Sequence, residues 1–277
     1  MLFVFVPWRK RDEWWMDAFP DRGLGNLPVA GRPFLEHQLD WAAGCGATHV
    51  VVLDYGYNPQ LSASLTGNGR HRWPFELSYE HCDSFLDEQG TVAWCKDHGI
   101  AEIPNRSIIG PMFPYKDELI EINSIAEYAD INFRVLSDPG YCTPAGYSSE
   151  PGVYLGMNVV IKTGWPIKRP LCLGDNVRIE FKCQLKGRVV VGDDSIIDAG
   201  ATLENAIIFP GTYIGTKMEL YRKIVVGCRV IDIDTGVWTD IEELGLCSYI
   251  EGSRTFNMIK RFFSWMFGFA GRRRKRG

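Results

Sequence analysis

The chain has 277 residues, 45% of them apolar, 23% charged and 13% aromatic, which is the balance of a folded soluble protein and allows one large domain or two modest ones. No run approaches the roughly 18–20 apolar residues that a spanning helix needs, and in MLFVFVPWRKR the apolar run precedes its charges, the reverse of a secretion signal. A cytoplasmic location is expected. The net charge of −4 hides an asymmetry: Thr255 to Gly277 carries seven Lys or Arg and no carboxylate, which leaves 23 basic against 34 acidic side chains in the rest. An acidic body with a basic tail suggests a partner surface for the tail.

Residues 2–6, LFVFV, read as a buried strand and run into Pro7-Trp8-Arg9-Lys10-Arg11. A helix is expected over 33–45, with Pro33 at its start and Gly44 and Gly46 at its end. A second buried strand follows at 49–53, giving the strand–helix–strand rhythm of a parallel sheet. Further strands are expected at 75–80 and 107–109, and helices at 88–97 and 116–129. The eight Cys show no C-x-x-C spacing, so they read as reduced, mostly buried thiols and not as a zinc or redox set; no metal site is expected from them.

From Leu155 every sixth residue is large and apolar: Leu155, Ile161, Ile167, Leu173, Ile179, Leu185, Val191, Ile197, Leu203 and Phe209. Four residues after each come mostly small or apolar side chains, from Val159 and Trp165 to Ile207 and Tyr213, with Gly, Asp and Asn between them. Neither a helix nor an ordinary strand has this period. It is the hexapeptide pattern of a parallel β-helix, three strands to a coil, with about three coils over 155–214. TKMELYRK after Gly215 breaks the register, as a hairpin extension or a distorted coil, and IVVGCRVIDID at 224–234 partly resumes it. None of the five His (37, 49, 71, 81, 98) lies in this region, so a hexapeptide acyltransferase would lack its general base.

Residues 255–271 form a wide apolar face on a helix, with Lys260 and Arg261 on a narrow polar stripe and Phe262, Phe263, Trp265 and Phe267 on the rest. Arg272, Arg273, Arg274, Lys275 and Arg276 follow. This reads as an interfacial helix with a polybasic clamp for an anionic membrane surface. A helix packed on the protein's own domain is the alternative. A nucleic-acid partner is not expected, because it would leave the Phe and Trp face unexplained.

The stretch LPVAGRPFLEHQLDWAAGCGATHVVVL, 27–53, resembles the early segment of the sugar-phosphate nucleotidyltransferases. GVYLGMNVVI, PLCLGDNVRI and LENAIIFPGTYIG are similar to the β-helix that follows the catalytic domain in many of them, above all in the mannose-1-phosphate guanylyltransferase branch. YEHCDSFLDEQGTVAW is similar to the stretch with their LGTAG-like motif, which points to Gly90 and Thr91 as nucleotide contacts. The resemblance implies a reduced, Rossmann-like nucleotidyltransferase-type α/β domain over 1–136, a Pro/Gly/Ser-rich linker over 137–152, a left-handed parallel β-helix over 153–240, and an amphipathic helix with its polybasic tail over 241–277.

The same resemblance implies chemistry whose residues are largely replaced. Where the family has a Gly-rich GxGTRL loop to wrap a triphosphate, this chain has no Gly before Gly23, and Arg9, Lys10 and Arg11 remain as point charges for phosphate. The family's Lys-Pro pair matches Leu24-Gly25, and its metal-binding Asp after a Gly matches Pro111 after Gly110. The stretch ahead of Val153 is shorter than the family's catalytic domain and lacks its sugar-pocket motif. The expected function is therefore nucleotide or nucleotide-sugar binding by a degenerate, scaffold or regulatory member, in nucleotide-sugar or surface-polysaccharide metabolism. It would be peripheral to the inner membrane, docked on lipid or on a membrane glycosyltransferase, with a homo-oligomer formed through the β-helix. The alternatives are an active transferase with a rearranged site, which alone would require Mg²⁺, and a hexapeptide structural module or acyltransferase.

Overall fold

The computed structural model describes residues 2–5, 14–19, 23–55, 73–82, 88–99, 108–109, 112–116, 118–140, 142–162, 168–243 and 245–250. The chain divides into two units, Met1–Pro144 and Ala145–Gly277.

In the first unit, β1 (Leu2–Phe5), β4 (His49–Tyr55), β5 (Glu76–Cys82) and β6 (Ile108–Ile109) form one sheet in the order β5-β4-β1-β6. Every pairing in it is parallel. Val50, Val51, Val52 and Leu53 of β4 are all buried, as a central parallel strand covered on both faces requires. Helix α2 (Phe34–Gly44) packs Leu35, Leu39 and Ala42 against Val50, Val52, Trp73 and Phe75. Gly46, at φ +76°, takes the left-handed turn that returns the chain from α2 to β4. A short helix α1 (Trp14–Ala18), a hairpin of β2 (Pro28–Val29) and β3 (Arg32–Pro33), and helix α3 (Glu88–Asp97) complete the front of the unit.

The expected helix over 116–129 is corrected. Glu118–Glu121 is strand β8, paired antiparallel with β7 (Met112–Tyr115), and the helix, α4, runs from Ile125 to Ser137. Its start is set by a capping box. Ser124 Oγ accepts the Glu127 N–H at 3.1 Å, and the Glu127 carboxylate accepts the Asn123 N–H at 2.7 Å.

The second unit is a β-solenoid. Its first ladder is β10 (Val153–Leu155), β12 (Leu171–Leu173), β14 (Gln184–Val191), β16 (Thr202–Ile208) and β19 (Lys223–Val226), all parallel. The second is β11 (Val160–Ile161), β13 (Arg178–Ile179), β15 (Ile196–Ile197) and β17 (Thr212–Ile214). The third side is the first half of β14 over that of β16, and then β18 (Glu219–Tyr221). Val153 lies opposite Leu171, and Leu171 opposite Val189, a step of 18 residues or three hexapeptides.

The period then shortens. Val189 lies opposite Ala206 and Ile207 opposite Ile224, steps of 17, because the two-residue corner Gly187-Arg188 is matched by the single residue Asn205. Asn205 takes φ +49°, and its Oδ1 accepts the Arg188 N–H at 3.1 Å. The inward column therefore continues through Ile208, Ile214 and Leu220, not through Phe209, which is buried elsewhere. One further expectation changes, because TKMELYRK contains the regular strand β18. IVVGCRVIDID resumes the coil in part: β19 continues the first ladder, and β20 (Arg229–Asp232) then turns back on it as an antiparallel hairpin. The whole solenoid has about four coils, of which 155–214 holds the three expected and the stretch through β18 completes the fourth, and Trp165 and Ile167 lie outside the described residues.

Corners repeat as columns. Asn158, Asn176 and Asp194 share φ near +57°, and their side chains form a ladder: Asn158 Nδ2 donates to Asn176 Oδ1 at 3.2 Å, and Asn176 Nδ2 donates to Asp194 Oδ1 at 2.8 Å. Beside it Asp175 and Asp193 each accept a backbone N–H from the coil before, at 2.8 Å. Antiparallel strands cover three sheet edges: β9 (Tyr147–Glu150) on β10, β22 (Cys247–Tyr249) on β17, and β20 with β21 (Trp238–Asp240) beyond β19. Among the described residues no helix is long and apolar enough to cross a membrane.

Two measurements test this packing. A Cβ on Gly174 would stand 2.1 Å from Asp193 Oδ1 and 2.7 Å from Asp193 N, so Gly174→Ala is expected to destabilise the chain by about 1–3 kcal/mol, read as a lowered denaturant midpoint. The hydroxyl of Tyr213 donates to Asp198 Oδ2 at 2.7 Å and, with the Ala199 N–H, holds that carboxyl below its ordinary value. A depressed carboxylate stabilises above its unfolded pKa and loses that contribution as pH falls through the folded one. Tyr213→Phe should therefore lower stability at neutral pH, and the difference from the parent should shrink below about pH 4.

Candidate functional site

The parallel sheet reverses its strand order between β1 and β6: β4 and β5 lie on one side of β1, and β6 on the other. In open parallel sheets ligands bind outside the carboxyl ends of the strands at such a reversal. Val4 pairs with Ile108 and Phe5 with Ile109, so β1 and β6 end side by side. The chain leaving β1 carries Arg9, Lys10 and Arg11, and the chain leaving β6 carries Gly110-Pro111. All five lie outside the described residues.

Gly90 and Thr91 fall in the first turn of α3, the helix that follows β5 in sequence; Thr91 is buried and Gly90 half-buried. Among the described residues no three carboxylate, imidazole or thiol groups gather as metal ligands. Gly110-Pro111 offers no side-chain oxygen, so the residues at that place do not fit a divalent cation. The tail residues Lys260, Arg261, Phe262, Phe263, Trp265, Phe267, Arg272, Arg273, Arg274, Lys275 and Arg276 also lie outside the described residues.

The most strongly organised part of this unit is the PVAGRP hairpin. Ala30 and Gly31 take φ of +47° and +84°, the paired positive angles of a type I′ turn. A left-handed Ala costs roughly 1–2 kcal/mol relative to an ordinary conformation, and the surroundings hold it there. The Ala30 N–H donates to Asn132 Oδ1 at 2.8 Å, and Asn132 Nδ2 donates to the Tyr128 carbonyl at 3.0 Å. The Tyr128 hydroxyl donates to the Pro28 carbonyl, and His37 Nε2 meets the Val29 carbonyl at 2.9 Å. Ala30, Tyr128, Asn132 and His37 are all fully buried.

Arg32 ties the other arm. Its buried guanidinium meets Glu36 Oε2 at 3.0 Å, Asp40 Oδ2 at 2.8 Å and the Thr143 carbonyl at 3.0 Å. Asp40 Oδ1 accepts the Trp73 indole N–H at 2.8 Å. Burial pushes the neighbouring Cys142 thiol up to about 12, and it donates to the Pro114 carbonyl. One arginine thus joins the hairpin, α2, the 73–75 segment and the end of the unit. Sequence reasoning did not single out Arg32, Asp40, Tyr128 or Asn132. The Ala-Gly pair between PV and RP was the available signal for the turn; nothing in the sequence signalled Asn132, 102 residues away.

A reversing parallel sheet and a β-solenoid together define a two-unit α/β–solenoid chain. No family model matches it. It is 31% identical over 141 residues to a UTP–glucose-1-phosphate uridylyltransferase of Synechocystis sp. (strain ATCC 27184 / PCC 6803 / Kazusa), across 50% of this chain and 36% of that protein. The matched stretch thus spans little more than a third of that relative's length. The similarity supports a relationship to the nucleotide-sugar nucleotidyltransferases.

The hairpin anchor is directly testable. Asn132→Ala leaves the buried Ala30 N–H without its acceptor and should cost about 1–3 kcal/mol in chemical denaturation. Ala30→Gly, which removes the left-handed penalty, should be neutral or stabilising.

Proposed function

We propose that this chain binds a nucleotide or nucleotide sugar at the β1/β6 reversal without turning it over, and serves as a scaffold or regulatory protein of nucleotide-sugar metabolism. The observation that supports this reading is the parallel pairing of Phe5 with Ile109, which ends side by side the two strands that precede, in sequence, the segments a transferase would use for its phosphate cradle and its metal carboxylate. The first segment is Pro7-Trp8-Arg9-Lys10-Arg11 and the second Gly110-Pro111. Three cations attract phosphate, whereas a bulky loop does not wrap it with backbone N–H groups as a Gly-rich loop does. Phosphoryl transfer also depends on a metal to neutralise developing charge, and Pro111 supplies no ligand for one. Attraction without that machinery means binding rather than turnover. The similarity to a uridylyltransferase supports the ligand class, and the solenoid with its hexapeptide corners supports a left-handed β-helix of the kind those enzymes carry.

Calorimetry with UTP, GTP, UDP-glucose and GDP-mannose, each with and without Mg²⁺, tests the reading, followed by a pyrophosphate-release assay. Saturable binding that Arg9→Ala/Lys10→Ala/Arg11→Ala weakens, with no pyrophosphate released, is the expected outcome. Pyrophosphate release would establish instead an active transferase with a rearranged site.

The tail extends the proposal to a peripheral position on an anionic inner-membrane surface. Each Lys or Arg near such a surface contributes about 1 kcal/mol, so neutralising Arg272, Arg273, Arg274, Lys275 and Arg276 in the full chain should weaken vesicle binding by roughly tenfold or more. Flotation with phosphatidylserine-containing liposomes reads the difference. Equal flotation of parent and variant would remove the membrane from the proposal.

A further inference from the structure

The β20–β21 hairpin carries an apolar surface with carboxylates beside it. Val237 is 65% exposed and Trp238 40%. The Arg229 guanidinium lies 3.9 Å from the centre of the Trp238 ring and meets Asp240 Oδ1 at 2.7 Å, which covers one face of the indole and fixes its orientation. Lys223 is paired with Asp232 and Arg222 with Asp234, so the cations of the hairpin and of its corner are all engaged. Glu242 and Glu243, just beyond β21, are exposed and enter no ion pair among the described residues.

The described chain ends close to this surface. Tyr249 of β22 stands against the corner at Gly227, where a Cβ would come within 2.2 Å of the Tyr249 ring, and Gly227 lies in the turn that pairs Val226 with Arg229. The Ile250 N–H donates to the Gly211 carbonyl at 2.9 Å, so β22 ends at the same corner. Residues 251–255 reach at most about 18 Å when extended, enough to carry Phe256 from that corner past Arg229 to the Trp238 it stacks on. From Phe256 onward the sequence is complementary to the surface: Phe262, Phe263 and Trp265 lie on the wide apolar face, Lys260 and Arg261 on the polar stripe, and no carboxylate follows as far as Gly277.

We propose that the tail folds back on the β20–β21 hairpin, its aromatic face on Val237 and Trp238 and its cations against Glu242 and Glu243, as a latch that competes with the anionic membrane surface. The competition rests on the membrane reading given above; the contact itself does not. The chain's own tail is favoured over a separate partner because a short tether holds it at an effective concentration in the millimolar range, so that a contact too weak for a free peptide is populated within one chain. Trp238 is already ordered by Arg229, so covering it costs little further freedom. The two positions of the tail exclude each other, because the Phe and Trp side chains that would enter lipid are the ones that lie on the hairpin. An anionic surface draws on all five cations from Arg272 to Arg276, whereas the hairpin offers two unpaired carboxylates. The latch therefore opens at the membrane and closes away from it.

Limited trypsin cleavage after Lys260 and Arg261 of the full chain, followed by mass spectrometry in the absence of lipid, reads the open fraction of the latch. Trp238→Ala removes the apolar half of the contact and Glu242→Gln/Glu243→Gln the charged half. Both variants should be cut at least about fivefold faster than the parent, with unchanged far-UV circular dichroism. The glutamate pair guards against a folding defect, since both side chains are exposed. Flotation with phosphatidylserine-containing liposomes then reads the competition, and both variants should reach half-maximal flotation at less lipid than the parent. A parent cut as fast as either variant overturns the latch, whatever the flotation shows. Faster cutting of both variants with no flotation of any chain upholds the contact and removes the membrane, so the two readings fail separately; faster cutting with equal flotation of all three chains overturns the competition.

Discussion

The second unit depends on the close approach of one coil's backbone to the next. Gly156, Gly174 and Gly192 stand where any Cβ would come within 2.7 Å of the following coil, and the residues two places on, Asn158, Asn176 and Asp194, turn through left-handed angles, as Gly211 does in the coil after them. Such contacts are possible only if every corner stacks on the corner below it. That steric condition, more than the hydrophobic column it encloses, fixes the coil at three short strands. The aliphatic interior then follows, because each two- or three-residue strand has room for one inward side chain between corners.

This explains what the sequence disclosed and what it hid. The hexapeptide run was legible because each strand announces itself with one large apolar residue and each corner with Gly, Asp or Asn. The shortening at Asn205 was not, because Ile208 and Phe209 are adjacent and both apolar, so a count by sixes slides onto the wrong one without any break in character. The hairpin after Val226 hid for a similar reason: Val230 and Ile231 suit another coil strand or a returning hairpin equally, and only the pairing direction distinguishes them. The strand at Glu118–Glu121 was absorbed into a helix because Glu and Leu favour helices, and the Ser124-x-x-Glu127 box that marks the real start was overlooked.

The candidate site shows a different division. The strands and α2 that frame it were read directly from buried apolar runs. The interactions that fix the frame were not, since Arg32, Asp40, Tyr128 and Asn132 look like ordinary surface-forming residues until distant segments are brought together. A left-handed alanine held by a buried asparagine is expensive local structure, and what holds it is a contact between residues 102 positions apart in the chain.

The covering strands at the solenoid's two ends have a consequence for length. Because β9 and β22 meet the coils only at the first and last rungs of their sheets, coils can be added or removed between them without altering either cap. Each whole coil changes the separation of the entry and exit strands by one inter-strand spacing, about 4.8 Å. The solenoid is therefore a ruler graduated in divisions of 18 residues and then of 17, and the shorter ones, with their one-residue corners at Asn205 and Arg222, show that a division survives the loss of a residue when the loss falls at a corner.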